Sequence, residues 1–293
     1  MTTKLKADLS LLAITVFWGA SFPIISKILK YIPPYSLMAL RYLLAGVILL
    51  AVTYKNFKNI EMKVIKAGIL IGISLFLGCA FQFVGLLYTT SSKSGFITGL
   101  NVAIVPIILA FGYKRFPDLK TVFGIILSVI GLAFISLNGS KSINIGDFLT
   151  LLCAVAFAAQ IILVDLYAKD ADPLLITCIQ SLTVGILAIP PSIFVEKLKI
   201  TFNLFSVVSL LFMVIFCTIA AYVVQNKMQK YTSPTHAAVI FLAEPVFGAI
   251  FSTFIGDRLS GKTLIGCIMI FIGMAVINLK VKMQPSNLNQ NKS

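Results

Sequence analysis

The stretch PPYSLMALRYLLAG at residues 33–46 returns as DPLLITCIQSLTVG at residues 172–185, so that Pro34, Arg41 and Gly46 recur as Pro173, Gln180 and Gly185 at a constant offset of 139. Asp8 and Asp147 share that offset. The run YTTSSKSGFITGLN at residues 88–101 overlays YTSPTHAAVIFLAE at residues 231–244 at an offset of 143, and Gly124 and Gly131 overlay Gly266 and Gly273 at 142. Short apolar strings align by chance and small-faced helices share glycines. Here order, spacing and polar positions agree across both copies, as an internal repeat requires.

The chain has 293 residues, of which 59% are hydrophobic and only 12% charged, with a mean hydropathy of +1.00. Ordinary soluble domains carry about 25% charged residues, so the solvent read from this composition is lipid. Apolar segments fall near 8–29, 34–54, 64–87, 94–113, 119–137, 147–168, 173–194, 204–226, 235–255 and 262–280. Each is long enough to cross about 30 Å of hydrocarbon as a helix. Lys4 and Lys6 precede the first segment as they would a signal peptide, but the run is too long for one and reaches Trp18 with no small-residue cleavage site after it. It reads as a retained span.

The expected fold is therefore all-α and integral to the membrane, with ten transmembrane helices arranged as two inverted five-helix repeats. Five is an odd number, so the second copy enters from the opposite side, the arrangement found in secondary transporters. The expected division is 1–138 for the first repeat, 139–283 for the second and 284–293 for a disordered polar tail.

A net charge of +14 would suggest nucleic acid in a soluble protein, but here the positions of the basic residues matter more than their sum. With the N-terminus inside, fifteen Lys and Arg fall on the cytoplasmic side and eight on the other. That bias predicts a multi-pass protein of the cell membrane with both termini cytoplasmic, and no nucleic-acid partner. Cys79, Cys153, Cys178, Cys217 and Cys267 all lie within the spans, where free cysteine behaves as a small apolar residue rather than as half of a disulfide framework.

The string VFWGASFPIISK (residues 16–27), followed by PPYSLMALRYLLAG, resembles the first two helices of the drug/metabolite transporter superfamily, in its EamA-like branch. The run FQFVGLLYTTSSKSGFITGL resembles that family's third and fourth helices, and AYVVQNKMQKYTSPTHAAVIFLAEPVFGAIFSTFIGDRLS its eighth and ninth. The resemblance covers nearly the whole chain. It implies a central substrate cavity at the repeat interface, alternating access without ATP hydrolysis, and lining by helices one, three, four, six, eight and nine. No cofactor, no metal and no enzymatic activity are expected.

Helical spacing supplies an independent test, because residues at i, i+4 and i+7 share a face. Thr218, Tyr222, Gln225 and Gln229 make one stripe on the eighth span, and Ser94, Thr98 and Asn101 another on the fourth. Ser74, Gly78, Gln82 and Gly85 share a side of the third, and Cys153, Phe157 and Gln160 a side of the sixth. Polar groups are expensive in hydrocarbon, so these stripes should face the interior, either as helix-packing contacts or as cavity lining. The candidate cavity residues are Trp18, Ser21, Gln82, Tyr88, Thr98, Asn101, Phe157, Gln160, Tyr222 and Gln225. Trp18 lies near mid-depth, where its ring either stacks on a planar substrate or fills space between helices. Pro23 and Pro245 are candidate kinks or hinges, since proline removes a backbone hydrogen bond.

Glu244 is the sharpest single candidate. About nine residues into its span, it lies near the bilayer midplane, where a carboxylate costs several kcal/mol unless a cation or several donors face it. It reads as a proton-coupling or substrate-amine site, or as part of a packing network. Arg41 is expected to snorkel to the headgroups, with an ion pair to Glu244 as the alternative. His236 and Asp165 read as interfacial and solvated. One histidine and one mid-membrane carboxylate do not supply a metal-dependent or acid–base constellation, which disfavours a membrane enzyme.

The function expected is a secondary transporter of small metabolites that exports amino acids or related polar or amphipathic compounds. A passive, channel-like facilitator for small neutral solutes is the alternative. The partners expected are the substrate, the lipid bilayer and, as a candidate coupling ion, the proton, with the chain a monomer or homodimer.

Overall fold

The computed structural model describes residues 2–136, 144–253 and 260–278, and among them every regular element is helical. The helices are α1 (Thr3–Ile28), α2 (Pro34–Thr53), α3 (Met62–Gly85), α4 (Ser91–Gly99), α5 (Asn101–Tyr113), α6 (Leu119–Ser136) and α7 (Ile145–Tyr167). They continue as α8 (Pro173–Phe194), α9 (Leu204–Phe212), α10 (Ala221–Met228), α11 (Pro234–Phe241), α12 (Ala243–Thr253) and α13 (Gly261–Asn278). Eight helical stretches among the described residues are long and apolar enough to cross a membrane, and Leu119–Ile135 and Gly261–Ile277 are shorter apolar helices. The expected boundary at 138/139 and the tail 284–293 lie outside the described residues.

Three crossings expected as single helices are interrupted. α4 and α5 together make the crossing Lys93–Tyr113, α11 and α12 make Pro234–Phe251, and α9 and α10 are joined by a π-helical segment, Met213–Ala220. Pro245 has no N–H to offer the Phe241 carbonyl, and the Leu242 N–H turns back to Val239 at 3.2 Å, so the helix restarts at Ala243. Leu100 breaks α4 from α5 with almost the same geometry, φ −62° and ψ −11° against −63° and −11° at Leu242. No proline lies four residues beyond Leu100, so this break has no such sequence signal. Asn101 and Glu244 follow these two breaks.

Helix starts obey ordinary rules. Pro34, Pro173 and Pro234 open α2, α8 and α11, where the missing N–H costs nothing. α2 has no capping side chain of its own. Glu196 supplies one from the far end of α8, accepting the Tyr35 and Ser36 N–H groups at 2.7 and 2.8 Å. Before α6, Asp118 accepts hydrogen bonds from Thr121, which hold its carboxyl below the usual carboxylate range.

The most extensive packing joins early helices to late ones: α2 with α8, α6 with α13, α3 with α7 and α8, and α1 with α12. Between helices in lipid there is little hydrophobic drive, so close van der Waals fit must hold them. At Gly46 an added Cβ would lie 2.5 Å from Leu182, and at Gly185 one would lie 2.7 Å from Leu43. The contact is reciprocal: the same two positions of each repeated stretch meet each other. α6 and α13 do likewise, Gly124 with Gly273 and Gly131 with Gly266, each against the other's carbonyl. Their outer faces expose Leu119, Phe123, Ile126, Leu264, Ile265 and Ile268. So much exposed apolar surface on one molecule marks a membrane-facing belt.

These contacts generate a stability prediction. Gly131→Ala places a Cβ 2.7 Å from the Gly266 carbonyl oxygen and 2.8 Å from Met269, and should cost about 1–3 kcal/mol. Gly112→Ala, where nothing lies within 4 Å, should change stability by less than about 1 kcal/mol. Thermal unfolding of both variants in one detergent would separate the two sites.

Candidate functional site

A cavity of about 80 Å³ lies at the centre of the bundle, room for several waters at about 10–15 Å³ each. Trp18 and Ser21 reach it from α1, Gln82 from α3, Thr98 and Asn101 from α4 and α5, Phe157 and Gln160 from α7, and Tyr222 and Gln225 from α10. Nine of the ten cavity residues expected from sequence thus line one space, and Glu244 joins them from α12. Tyr88 does not. α3 ends at Gly85, which leaves Tyr88 in the turn before α4, 57% exposed.

The amide stripes meet partner by partner. Gln160 and Gln225 donate to one another at 3.4 and 3.2 Å, Gln225 also donates to Gln229 at 3.1 Å, and Gln229 donates to the Ile161 carbonyl at 2.6 Å. Gln82 donates to Thr98 at 3.5 Å. Gly78 gives the Phe157 ring its place, since any Cβ there would collide with it. The Trp18 ring sits between Tyr222 and Phe241, with centroids 5.6 and 5.3 Å away.

Arg41 departs from expectation. Its side chain does not snorkel. It is buried and lines the cavity, donating from Nε to Thr218 Oγ1 at 2.7 Å and from Nη2 to the Cys217 carbonyl at 3.0 Å. The π-helical register makes this arrangement work. The Ala221 N–H, which in an α-helix would bond Cys217, bonds Phe216 instead, opening the Cys217 carbonyl to side chains. Trp18 Nε1 takes the same carbonyl at 3.1 Å. No ion pair joins Arg41 to Glu244 among the described residues.

Two polar groups in this space are left over. Asn101 Oδ1 is buried without a partner, and the Glu244 carboxylate makes no hydrogen bond or ion pair among the described residues. Of the candidate hinges, Pro23 sits inside α1, which runs on unbroken to Ile28, and Pro245 is the third residue of α12, just beyond the break. Tyr42, Cys79, Phe83 and Phe241 also line the cavity. Their sequence gives no polar signal that would have singled them out.

A basic and an acidic side chain face each other beyond the cavity at each end. Lys93 of α4 meets Asp147 of α7 at 3.1 Å, with Thr89 adding a hydrogen bond to Asp147 at 2.5 Å. His236 of α11 is buried, with its Nε2 3.4 Å from Asp8 Oδ2 of α1. Asp165, expected to be solvated, is buried and faces Lys169 at 3.0 Å. Antiparallel packing of α2 on α8 and the contact of Gly85 with Gly146 place the starts of α1 and α7 at opposite ends of the bundle. The two pairs therefore close opposite ends, and they occupy matching positions of the repeated sequence.

This is the build of a multi-pass membrane protein with a cavity between helices of both halves, and comparison with known proteins gives the class. The EamA-like transporter family matches the chain twice, over residues 5–137 and 144–279. A protein of Archaeoglobus fulgidus described as an uncharacterized transporter is 34% identical over 95% of this chain and 87% of its own. A probable amino-acid metabolite efflux pump of Salmonella typhimurium is 26% identical over 90% of this chain and 92% of its own. A solved crystal structure superposes with a TM-score of 0.78 over 94% of this chain and 98% of the other, at 19% identity, which is likeness of fold. The chain belongs to the EamA-like transporter family; it is a membrane transporter and not an enzyme.

The Arg41 clamp is open to a direct test. Arg41→Gln and Thr218→Val should be coupled by about 0.5–3 kcal/mol in a double-mutant cycle on thermal stability, as expected for contacting residues. Additive effects would mean that the two side chains do not meet.

Proposed function

We propose that this protein is a secondary carrier that exports amino acids or related polar or amphipathic compounds across the cell membrane by alternating access. In this reading ten spans form two inverted repeats of five, and both termini lie in the cytoplasm. The observation that carries it is a cavity walled by helices of both halves, with a basic and an acidic side chain from different halves facing each other at each end. Lys93–Asp147 joins α4 to α7 and His236–Asp8 joins α11 to α1, and all four crossings contribute cavity residues. Breaking one tie lets the wall helices part at one end while the other stays closed. A passive pore needs no such ties.

The double family match, the reciprocal glycine contacts and the likeness to an efflux pump support the repeat and the direction of transport. Glu244 is a carboxylate lining the cavity and is the candidate site for proton coupling.

Access to Cys79, which lines the cavity, provides the test. The variant would retain this thiol and replace the other four cysteines. In vesicles, Lys93→Ala should raise labelling of Cys79 by a membrane-impermeant reagent from one side only, and Asp8→Ala from the other. Equal labelling from both sides in either variant would support a pore. Uptake should saturate and show countertransport, and Glu244→Gln should remove any dependence on a pH gradient.

A further inference from the structure

The cavity holds a guanidinium and a carboxyl group, Arg41 on α2 and Glu244 on α12, that form no ion pair with each other among the described residues. Arg41 is fixed in place by its Nε and Nη2 bonds to Thr218 and Cys217, which leave the two N–H groups of Nη1 uncommitted. Glu244 has no hydrogen-bonding partner, and neither has Asn101 Oδ1, although Asn101 is only 8% exposed. The polar inventory left over is thus a guanidinium from α2, a carboxyl group from α12 and an amide oxygen from α5.

A buried charge without its counter-charge is costly, and so is a buried acceptor without a donor. A ligand with a single charge would relieve one of them and leave the other. A ligand that carries a carboxylate and an ammonium on neighbouring atoms relieves both. Arginine accepts a carboxylate with directed, charge-assisted bonds. An ammonium brings three donors, which a carboxylate and an amide oxygen can share. Trp18, Phe157 and Phe241 leave an apolar wall for the rest of the molecule.

The geometry points to two-ended recognition: Arg41 holds the carboxylate, and Glu244 with Asn101 holds the ammonium, of a zwitterionic α-amino acid. Resting on the cavity being the transport site proposed above, this adds the specificity rule. Amines that lack the carboxylate and acids that lack the ammonium are rejected, because each leaves one of these protein groups without a partner.

The test uses the purified full chain in detergent, with thermal shift and equilibrium binding as readouts. Alanine, leucine and phenylalanine would be compared with ethylamine, isopentylamine and phenethylamine, which lack the carboxylate, and with propionate, isocaproate and hydrocinnamate, which lack the ammonium. At least one amino acid should stabilise the protein, with its amine and acid analogues about tenfold weaker or worse. Glu244→Gln should weaken the amino acid by about tenfold or more and turn the preference toward the acid. Arg41→Gln should turn it toward the amine, and Asn101→Leu should weaken the amino acid while sparing acid binding in the Glu244→Gln background.

Should Arg41→Gln fail to fold, Glu244→Gln decides alone: an unchanged order of preference overturns the inference. Stabilisation by sodium or potassium chloride without any amino acid, lost in Glu244→Gln, would show a metal-cation site and overturn it too. Binding or transport of neutral or singly charged solutes through the same cavity would overturn the inference and leave the carrier reading standing. No binding, no transport and no one-sided change in Cys79 labelling would remove both.

Discussion

A guanidinium group inside a membrane protein must find acceptors, and the way Arg41 finds them organises the core of this transporter. Lipid offers no acceptors at that depth, so they have to come from backbone, side chains or the cavity itself. In a regular α-helix each interior carbonyl already accepts a backbone N–H. The π-helical segment frees one by sliding its hydrogen-bond register past Cys217, and Thr218 adds its hydroxyl. Trp18 completes the arrangement by donating to the same carbonyl. One backbone oxygen thereby fixes α1, α2 and the π segment relative to each other, and with them one wall of the cavity.

The opposite wall is fixed by close approach. Gly19 of α1 lies against the Glu244 carbonyl and Gly248, where an added Cβ would sit 2.7 Å from the former. A larger residue at position 19 would push α12 outward and take Glu244 with it. The reciprocal glycine and leucine contacts between α2 and α8, and the glycine pairs between α6 and α13, hold the periphery in the same manner. In lipid, where apolar surface gains nothing by meeting other apolar surface, such shape matching bears much of the load. The polar interior and the packed periphery are therefore separate problems, each with its own residues.

What sequence could reveal follows this division. Stripes at helical spacing located most of the cavity, because a polar residue in a hydrophobic span has few places to go: Gln82, Gln160 and Gln225 all turn inward. Tyr88 failed for a local reason, since an aromatic residue one turn beyond a helix end looks in sequence like one within it. Arg41 failed because long basic side chains usually reach the membrane surface, and the acceptors that hold it inside depend on a π register that MVIFCTIA does not announce. The break before Glu244 was written in Pro245. The matching break at Leu100 carried no such mark, and only the comparison of the two crossings makes it visible.

The charges are distributed differently from the scaffold. Where one half has Arg41, the matching position has Gln180, and where one has Asn101 the other has Glu244. Gln180 accepts from Asn226 at 3.2 Å on the α8 side, a neutral amide contact at the position that corresponds to Arg41. A fully symmetric cavity would present either two cations or none, and either two carboxylates or none, and a small polar molecule with distinct ends would have no defined orientation in it. Placing one cation and one carboxylate on walls from different halves removes that degeneracy. The end closures diverge in the same way, lysine with aspartate at one face and histidine with aspartate at the other. In the carrier proposed above, unequal groups at the centre and unequal contacts at the ends give the cargo a preferred orientation.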